Sequence, residues 1–146
     1  MIRRILAAVA LLVCAAGVTR VEAQRSHFGV RGGYNFDMED GAIGAQLSLP
    51  LSSSIELYPS FDYYFVTTGN LVGFSGDLKF RTPGAPLYFG GGLNVLSGGG
   101  NSDTGADLFG GFETRYGVTH PFIEGRALLH DGSSFQLLFG FNVTLY

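Results

Sequence analysis

Ile55-Glu-Leu-Tyr-Pro-Ser-Phe-Asp-Tyr-Tyr-Phe65 is the stretch that decides the fold. Side chains on a strand alternate between faces with period two, so Ile55, Leu57, Phe61, Tyr63 and Phe65 share one face and Glu56, Tyr58, Ser60, Asp62 and Tyr64 the other. The same alternation recurs from Ser26 to Tyr146, and in each stretch the charges fall on the face that the bulky apolar residues avoid. A soluble barrel is wired the opposite way, with apolar groups inside and charges outside. Here the large aromatics form one continuous face and the few charges share theirs with glycine, which is the pattern of a barrel in lipid.

Working outward from that stretch, the alternation predicts an all-β chain of eight strands over 26–36, 42–51, 55–65, 71–80, 87–95, 104–114, 118–129 and 135–146. Each is near the roughly 9 to 11 residues a tilted strand needs to cross a bilayer, and no helix is required. The connections fall into two sets, 51–54, 81–86 and 115–117 against 37–41, 66–70, 96–103 and 130–134. An even number of antiparallel strands puts both termini on one side. In outer-membrane barrels that side is periplasmic, so the first set are expected to be periplasmic turns and the second outer loops.

Residues 1–23 read as an export signal and 24–146 as a single domain. Arg3 and Arg4 give a basic start, Ile5 to Val18 an apolar core of fourteen residues, and Val21-Glu22-Ala23 a small-residue cleavage pattern, so cleavage is expected before Gln24. An uncleaved membrane helix would need about twenty apolar residues and is interrupted by Arg20 and Glu22. Cys14 could suggest a lipoprotein, but Val13 is a poor fit to the small residue expected before an acylated cysteine. It reads instead as part of the apolar core, which leaves the exported chain without cysteine.

The exported chain holds six basic and eleven acidic residues, a net charge of −5, which argues against nucleic acid as a partner. Arg25, Arg81 and Arg115 fall at the periplasmic end, and Asp37, Glu39, Asp40, Asp103 and Asp131 in the outer loops. The other nine, Arg31, Glu56, Asp62, Asp77, Lys79, Asp107, Glu113, Glu124 and Arg126, are all expected to face inward as a lumen charge network. In it Arg31, Lys79 and Arg126 serve six carboxylates. None could face lipid cheaply, since a lysine or arginine at the bilayer midplane of a barrel costs roughly 2 to 4 kcal/mol. The outward face carries the lipid-facing aromatics. Phe28, Phe80, Phe89, Phe112 and Phe141 lie toward the periplasmic rim, Phe36, Phe65 and Phe135 toward the outer rim, and Phe61 and Phe139 between them. Two prolines resist this scheme. Pro59 sits mid-strand, where a bulge is expected to absorb the lost ladder bond, and Pro121 lies near the start of the seventh strand.

These features resemble the small eight-stranded outer-membrane barrels of the OmpA/OmpX type, over essentially the whole chain after the export signal. The last stretch, Phe135-Gln-Leu-Leu-Phe-Gly-Phe-Asn-Val-Thr-Leu-Tyr146, ends in the aromatic that marks the family's assembly signal. The resemblance implies outer-membrane lipids as surroundings, and the barrel assembly machinery and periplasmic chaperones as partners during biogenesis. In the family the terminal aromatic shares a face with the preceding apolar residues. Here Tyr146 falls opposite Leu145, Val143, Phe141 and Phe139, so either the strand end is bulged or the signal is read loosely.

Eight strands enclose only enough room for side chains, so charges of both signs are expected to pair and plug the interior. Enzymes exist on such barrels, notably lipid A deacylases and acyltransferases, and a hydrolase needs a serine held by a histidine and a carboxylate. His120 faces inward with Glu124 and His27 lies near the periplasmic rim, neither beside a serine. His130-Asp131-Gly-Ser-Ser134 gathers the three residue types but reads as a polar turn. Gly98 to Asp107 distantly resembles a calcium-binding glycine/aspartate repeat. It occurs once where such repeats stack, and so reads as a flexible outer loop. Asn142-Val-Thr144 matches a glycosylation pattern inside a strand, where it should be inert. No cofactor or metal is implied. The expectation is a non-enzymatic integral outer-membrane barrel with a structural or surface-interaction role. The alternatives are a narrow porin-like channel for ions or small solutes, and a soluble exported lipocalin-like barrel, against which the outward aromatics argue. Nothing in the sequence names a surface partner.

Overall fold

The alternating stretches form eight strands in a computed structural model that describes residues 25–130 and 132–146. The expected export signal over 1–23, its cut before Gln24, Cys14 and the loop charge Asp131 lie outside the described residues. The strands are β1 (His27–Asn35), β2 (Asp40–Pro50), β3 (Ile55–Tyr64), β4 (Leu71–Arg81), β5 (Leu87–Gly98), β6 (Asn101–Glu113), β7 (Thr119–Leu129) and β8 (Ser134–Thr144). Each pairs antiparallel with the next, and β1 pairs with β8, so the sheet closes on itself and no edge strand is left unpaired. The row Leu49, Leu57, Leu78, Gly91, Leu108, Ala127, Phe135, Phe36 runs once round the wall. It begins opposite position 26 of the first strand and returns to that strand at position 36, a stagger of ten residues that makes the strands tilt steeply.

Three expectations are corrected. Residues 96–103 are not a glycine-rich outer loop: β5 and β6 extend until Gly98 faces Asn101, which leaves Gly99-Gly100 as a two-residue turn. Both glycines have positive φ, 59° and 81°, the conformation a type I′ hairpin turn requires and that glycine adopts without penalty.

Pro59 causes no bulge. The β2–β3 register runs unbroken from Ala42↔Tyr64 to Pro50↔Glu56, but pairing skips Leu47 and Ser48, opposite Pro59 and Tyr58. Bonds from Leu51 N to Ile55 O and from Phe65 N to Gly41 O place the hydrogen-bonded pairs of this ladder at odd positions. The bond lost at Pro59 is therefore the one to Leu47 O. On its other side Pro59 stays in register with Gly76.

The inner face is also less polar than the alternation suggested. Phe109, Phe122, Leu128 and Leu138 are buried inside the barrel beside Tyr58, Tyr64 and Tyr88. A bore lined with glycine leaves volume that large side chains must fill to reach ordinary packing density. The glycines give that room: a Cβ on Gly90 would lie 2.6 Å from Phe109 Cζ, and one on Gly111 2.8 Å from Tyr88 Oη.

Candidate functional site in the barrel interior

Strand parity sends Arg31 of β1, Glu56 and Asp62 of β3, Asp77 and Lys79 of β4, Asp107 and Glu113 of β6, and Glu124 and Arg126 of β7 into the bore, where all nine are buried. They fall into two groups. The first lies toward the end of the barrel that holds Arg25 and Tyr146. Lys79 Nζ sits 2.6 Å from Glu113 Oε2 and 4.0 Å from Glu56 Oε2, and it lies over the rings of Tyr88 and Tyr58 at 4.1 and 4.7 Å. Asn142 Nδ2 donates to Glu113 Oε1 at 2.9 Å, and Asn142 Oδ1 accepts from Gln46 Nε2 at 2.8 Å.

Arg81 also belongs to this group. Its Nε donates to Glu56 Oε1 at 2.5 Å and its Nη2 lies 3.1 Å from Glu113 Oε2, so four cations, not three, serve the six interior carboxylates. The sequence carried the signal for it. Arg81 stands two residues after Lys79 and so on the same face, extending β4 one position beyond its predicted end.

The second group is fully enclosed. Arg31 grips Asp62 with Nε to Oδ1 at 2.8 Å and Nη2 to Oδ2 at 2.5 Å, and donates to Ser60 Oγ at 2.9 Å. Arg126 meets three carboxylates: Nη1 lies 2.8 Å from Asp77 Oδ2 and 2.6 Å from Asp107 Oδ2, while Nε and Nη2 reach Glu124 Oε1 at 3.0 and 2.9 Å. Its guanidinium also stacks 4.4 Å over the Phe109 ring. The Tyr88 and Tyr58 hydroxyls donate to Glu124 Oε2 at 2.8 and 3.4 Å, which joins the two groups through the rings that face Lys79. Toward the far end Tyr64 donates to Gln136, and Asn94 donates to Ser75 Oγ at 2.7 Å.

His130 Nδ1 lies 3.2 Å from Asp103 Oδ2 and Nε2 3.0 Å from Asn94 Oδ1, and among the described residues no serine hydroxyl is hydrogen-bonded to a histidine ring. His120 has a different task. Thr114 N donates to Pro121 O at 3.1 Å, and the reciprocal ladder bond would need the N–H that proline lacks. Thr114 O accepts instead from His120 Nδ1 at 2.8 Å, which fixes that nitrogen as a donor and turns Nε2 toward Thr144 Oγ1 at 3.1 Å. The His27 ring packs edge-on against it at 5.0 Å.

At the mouth nearby, a cavity of about 450 Å³ is lined by Arg25, Arg81 and Arg115 among others. Arg115 Nη2 donates to Thr82 O and Arg25 lies 4.7 Å over the Tyr146 ring. Tyr146 stands beyond the end of β8 and is 88 % exposed. The last strand is not bulged: its register is steady to His27↔Thr144, and Leu145 N adds a bond to Ser26 O.

On the outside, Phe28, Phe36, Phe61, Phe65, Phe89, Phe112, Phe135, Phe139 and Phe141 are exposed, and Phe80 is half-buried against Phe89 at 5.6 Å. Leu78, Leu93, Leu108 and Ile123 stand exposed among them, so the outer wall is a continuous apolar surface.

No protein-family model matches the chain, and no curated protein does. Solved structures do, among them three barrels. The N-terminal β-barrel domain of Pseudomonas aeruginosa OprF is similar over 84% of this chain and 98% of that one, with a TM-score of 0.65 and 20% identity. The de novo designed TMB2.3, solved by solution NMR, matches over 88% of this chain and 99% of its own, with a TM-score of 0.60 and 18% identity. A structure from the de novo design of transmembrane β-barrels matches over 83% and 95%, with a TM-score of 0.60 and 11% identity. The chain has the fold of the small, closed, eight-stranded transmembrane β-barrels.

Proposed function

We propose that the chain is a non-enzymatic integral outer-membrane barrel with a structural or surface-interaction role, and that its own side chains close its bore. One observation carries the reading. Arg126 is wholly buried and bound to Asp77 of β4 and Asp107 of β6 as well as to its own strand's Glu124. With Arg31 bridging β1 to β3, and Tyr88 of β5 reaching Glu124, six of the eight strands are tied together across the lumen. A continuous water column has no room beside such a septum in a bore of eight strands.

The apolar outer wall supports the membrane assignment, since surface of that extent is unfavourable in water and favourable in lipid. The fold shared with the OprF barrel domain supports the outer membrane in particular. In this reading residues 1–23 deliver the chain, the end holding Arg25 and Tyr146 faces the periplasm, and chaperones and the barrel assembly machinery act during insertion. The mature barrel meets outer-membrane lipids.

Single-channel recording of the barrel in planar bilayers tests closure. The expected record shows no steady conductance. A large, steady conductance that scales with ion concentration overturns the plugged bore and puts a narrow channel in its place.

A further inference from the structure

Positive charge is left over at one mouth of the barrel once the ion pairs beneath it are counted. Lys79 and Arg81 meet Glu56 and Glu113, two against two. Arg25 and Arg115 stand beyond them at the same end, both exposed, and neither forms an ion pair with a carboxylate among the described residues. The other described acidic side chains are elsewhere. Asp62, Asp77, Asp107 and Glu124 belong to the enclosed group, and Asp37, Glu39, Asp40 and Asp103 to the opposite end.

The leftover cations are held around one cavity. Arg115 Nη2 donates to Thr82 O at 2.7 Å, which draws its guanidinium to the residue next to Arg81. Arg25 lies 4.7 Å over the ring of Tyr146, which lines the cavity with the three arginines. These contacts leave donors over. Arg115 Nε and Nη1, the nitrogens of Arg25 and Arg81 Nη1 meet no acceptor among the described residues. His27 lines the cavity too; neither of its ring nitrogens is hydrogen-bonded among the described residues, and Nδ1 is buried. An imidazole carries at least one N–H in either tautomer, so it adds a donor. Glu56 is the one acidic side chain on the wall, and it is already bound by Arg81 Nε at 2.5 Å with Lys79 Nζ 4.0 Å away.

The cavity measures about 450 Å³, within the range of about 300 to 1,000 Å³ in which proteins hold small ligands. Guanidinium forks match the oxygens of carboxylate and phosphate alike. A carboxylate has two oxygens in one plane, and a single fork exhausts it. A phosphate offers three or four oxygens in a tetrahedron, and so can meet forks from several sides of an opening.

We propose that this mouth is a binding site for a phosphate group, with Arg25 and Arg115 as the principal donors, Arg81 at the floor and His27 at the side. The group is held by ion pairing and hydrogen bonds alone. It arrives either on the headgroup of a lipid in the adjoining leaflet or as phosphate in solution, since the same donors serve both. The site goes beyond a structural role for the barrel and does not need the bore beneath it to be closed.

The test is phosphorus NMR of the full barrel in dodecyl maltoside, a detergent without phosphorus. One arm is titrated with inorganic phosphate and the other with dihexanoyl phosphatidylglycerol, both in about 0.15 M sodium chloride, which screens long-range attraction. A saturable shift with one equivalent bound per barrel is expected in at least one arm. Saturation by phosphatidylglycerol alone identifies the headgroup as the source, and saturation by inorganic phosphate identifies phosphate in solution. Arg25→Gln and Arg115→Gln alter exposed side chains outside the strands, so each should fold, and each should weaken binding about tenfold. Asp40→Asn, which removes a negative charge at the opposite end, should leave the affinity unchanged. No saturable shift in either arm, unchanged affinity in both arginine variants, or a strengthening by Asp40→Asn as large as their weakening would each overturn the proposal.

Discussion

The two ionic groups of the bore are built from the same residue types and solve the same problem differently. Near the mouth, Arg81 keeps 15% of its side chain accessible and each carboxylate has a cation of its own within reach. Deeper in, the charged side chains are wholly buried, and one guanidinium is divided among three carboxylates, with tyrosine hydroxyls donating to one of them. The contrast teaches that the enclosed group is the one with no redundancy. Losing a member of the first leaves partners behind, whereas losing Arg126 leaves three carboxylates with one distant guanidinium, Arg31 Nη1 at 3.9 Å from Glu124.

Substitutions can break or sharpen that contrast. Arg126→Ala should cost the most, about 3 to 5 kcal/mol, because it strands buried charge. Urea unfolding followed by circular dichroism in detergent micelles measures it. Leu78→Arg comes next and asks whether position relative to the wall, not charge itself, sets the cost. Leu78 is exposed on the outer face and its neighbour Lys79 is enclosed on the inner one, so an arginine there should cost about 2 to 4 kcal/mol in lipid vesicles while the native lysine one residue on is welcome. No loss at Leu78 would mean that the faces are reversed. Lys79→Met should cost least, about 1 to 3 kcal/mol, since Arg81 and Asn142 still serve Glu113. If it matched Arg126→Ala, the difference between the two groups would be gone.

Strand positions were legible because alternation is a backbone property: at every odd position from Ser75 to Arg81 the side chain points into the bore, whatever it is. Partnership was not legible, because the ten-residue stagger decides which inward residues meet, and stagger is set by all eight registers together. So Arg126 could be placed inside, but not matched to Asp77 and Asp107 in preference to any other pair of acids. Glycine misled twice. At 98–100 it suggested a loose loop, where positive φ at two positions makes a tight turn. In the bore it suggested a small-residue lining, where it is the space that Phe109 and Tyr88 occupy.

The bond from the His120 ring to Thr114 O has a consequence for how this sequence can change over generations. An imidazole there stands in for a backbone atom that Pro121 does not have, so two neighbouring codons act as one heritable unit. While Pro121 stands, replacing His120 by a residue without a donor takes from Thr114 O its protein partner, whereas with any other residue at 121 the ladder could serve that carbonyl itself. A change at either position therefore alters what a change at the other costs.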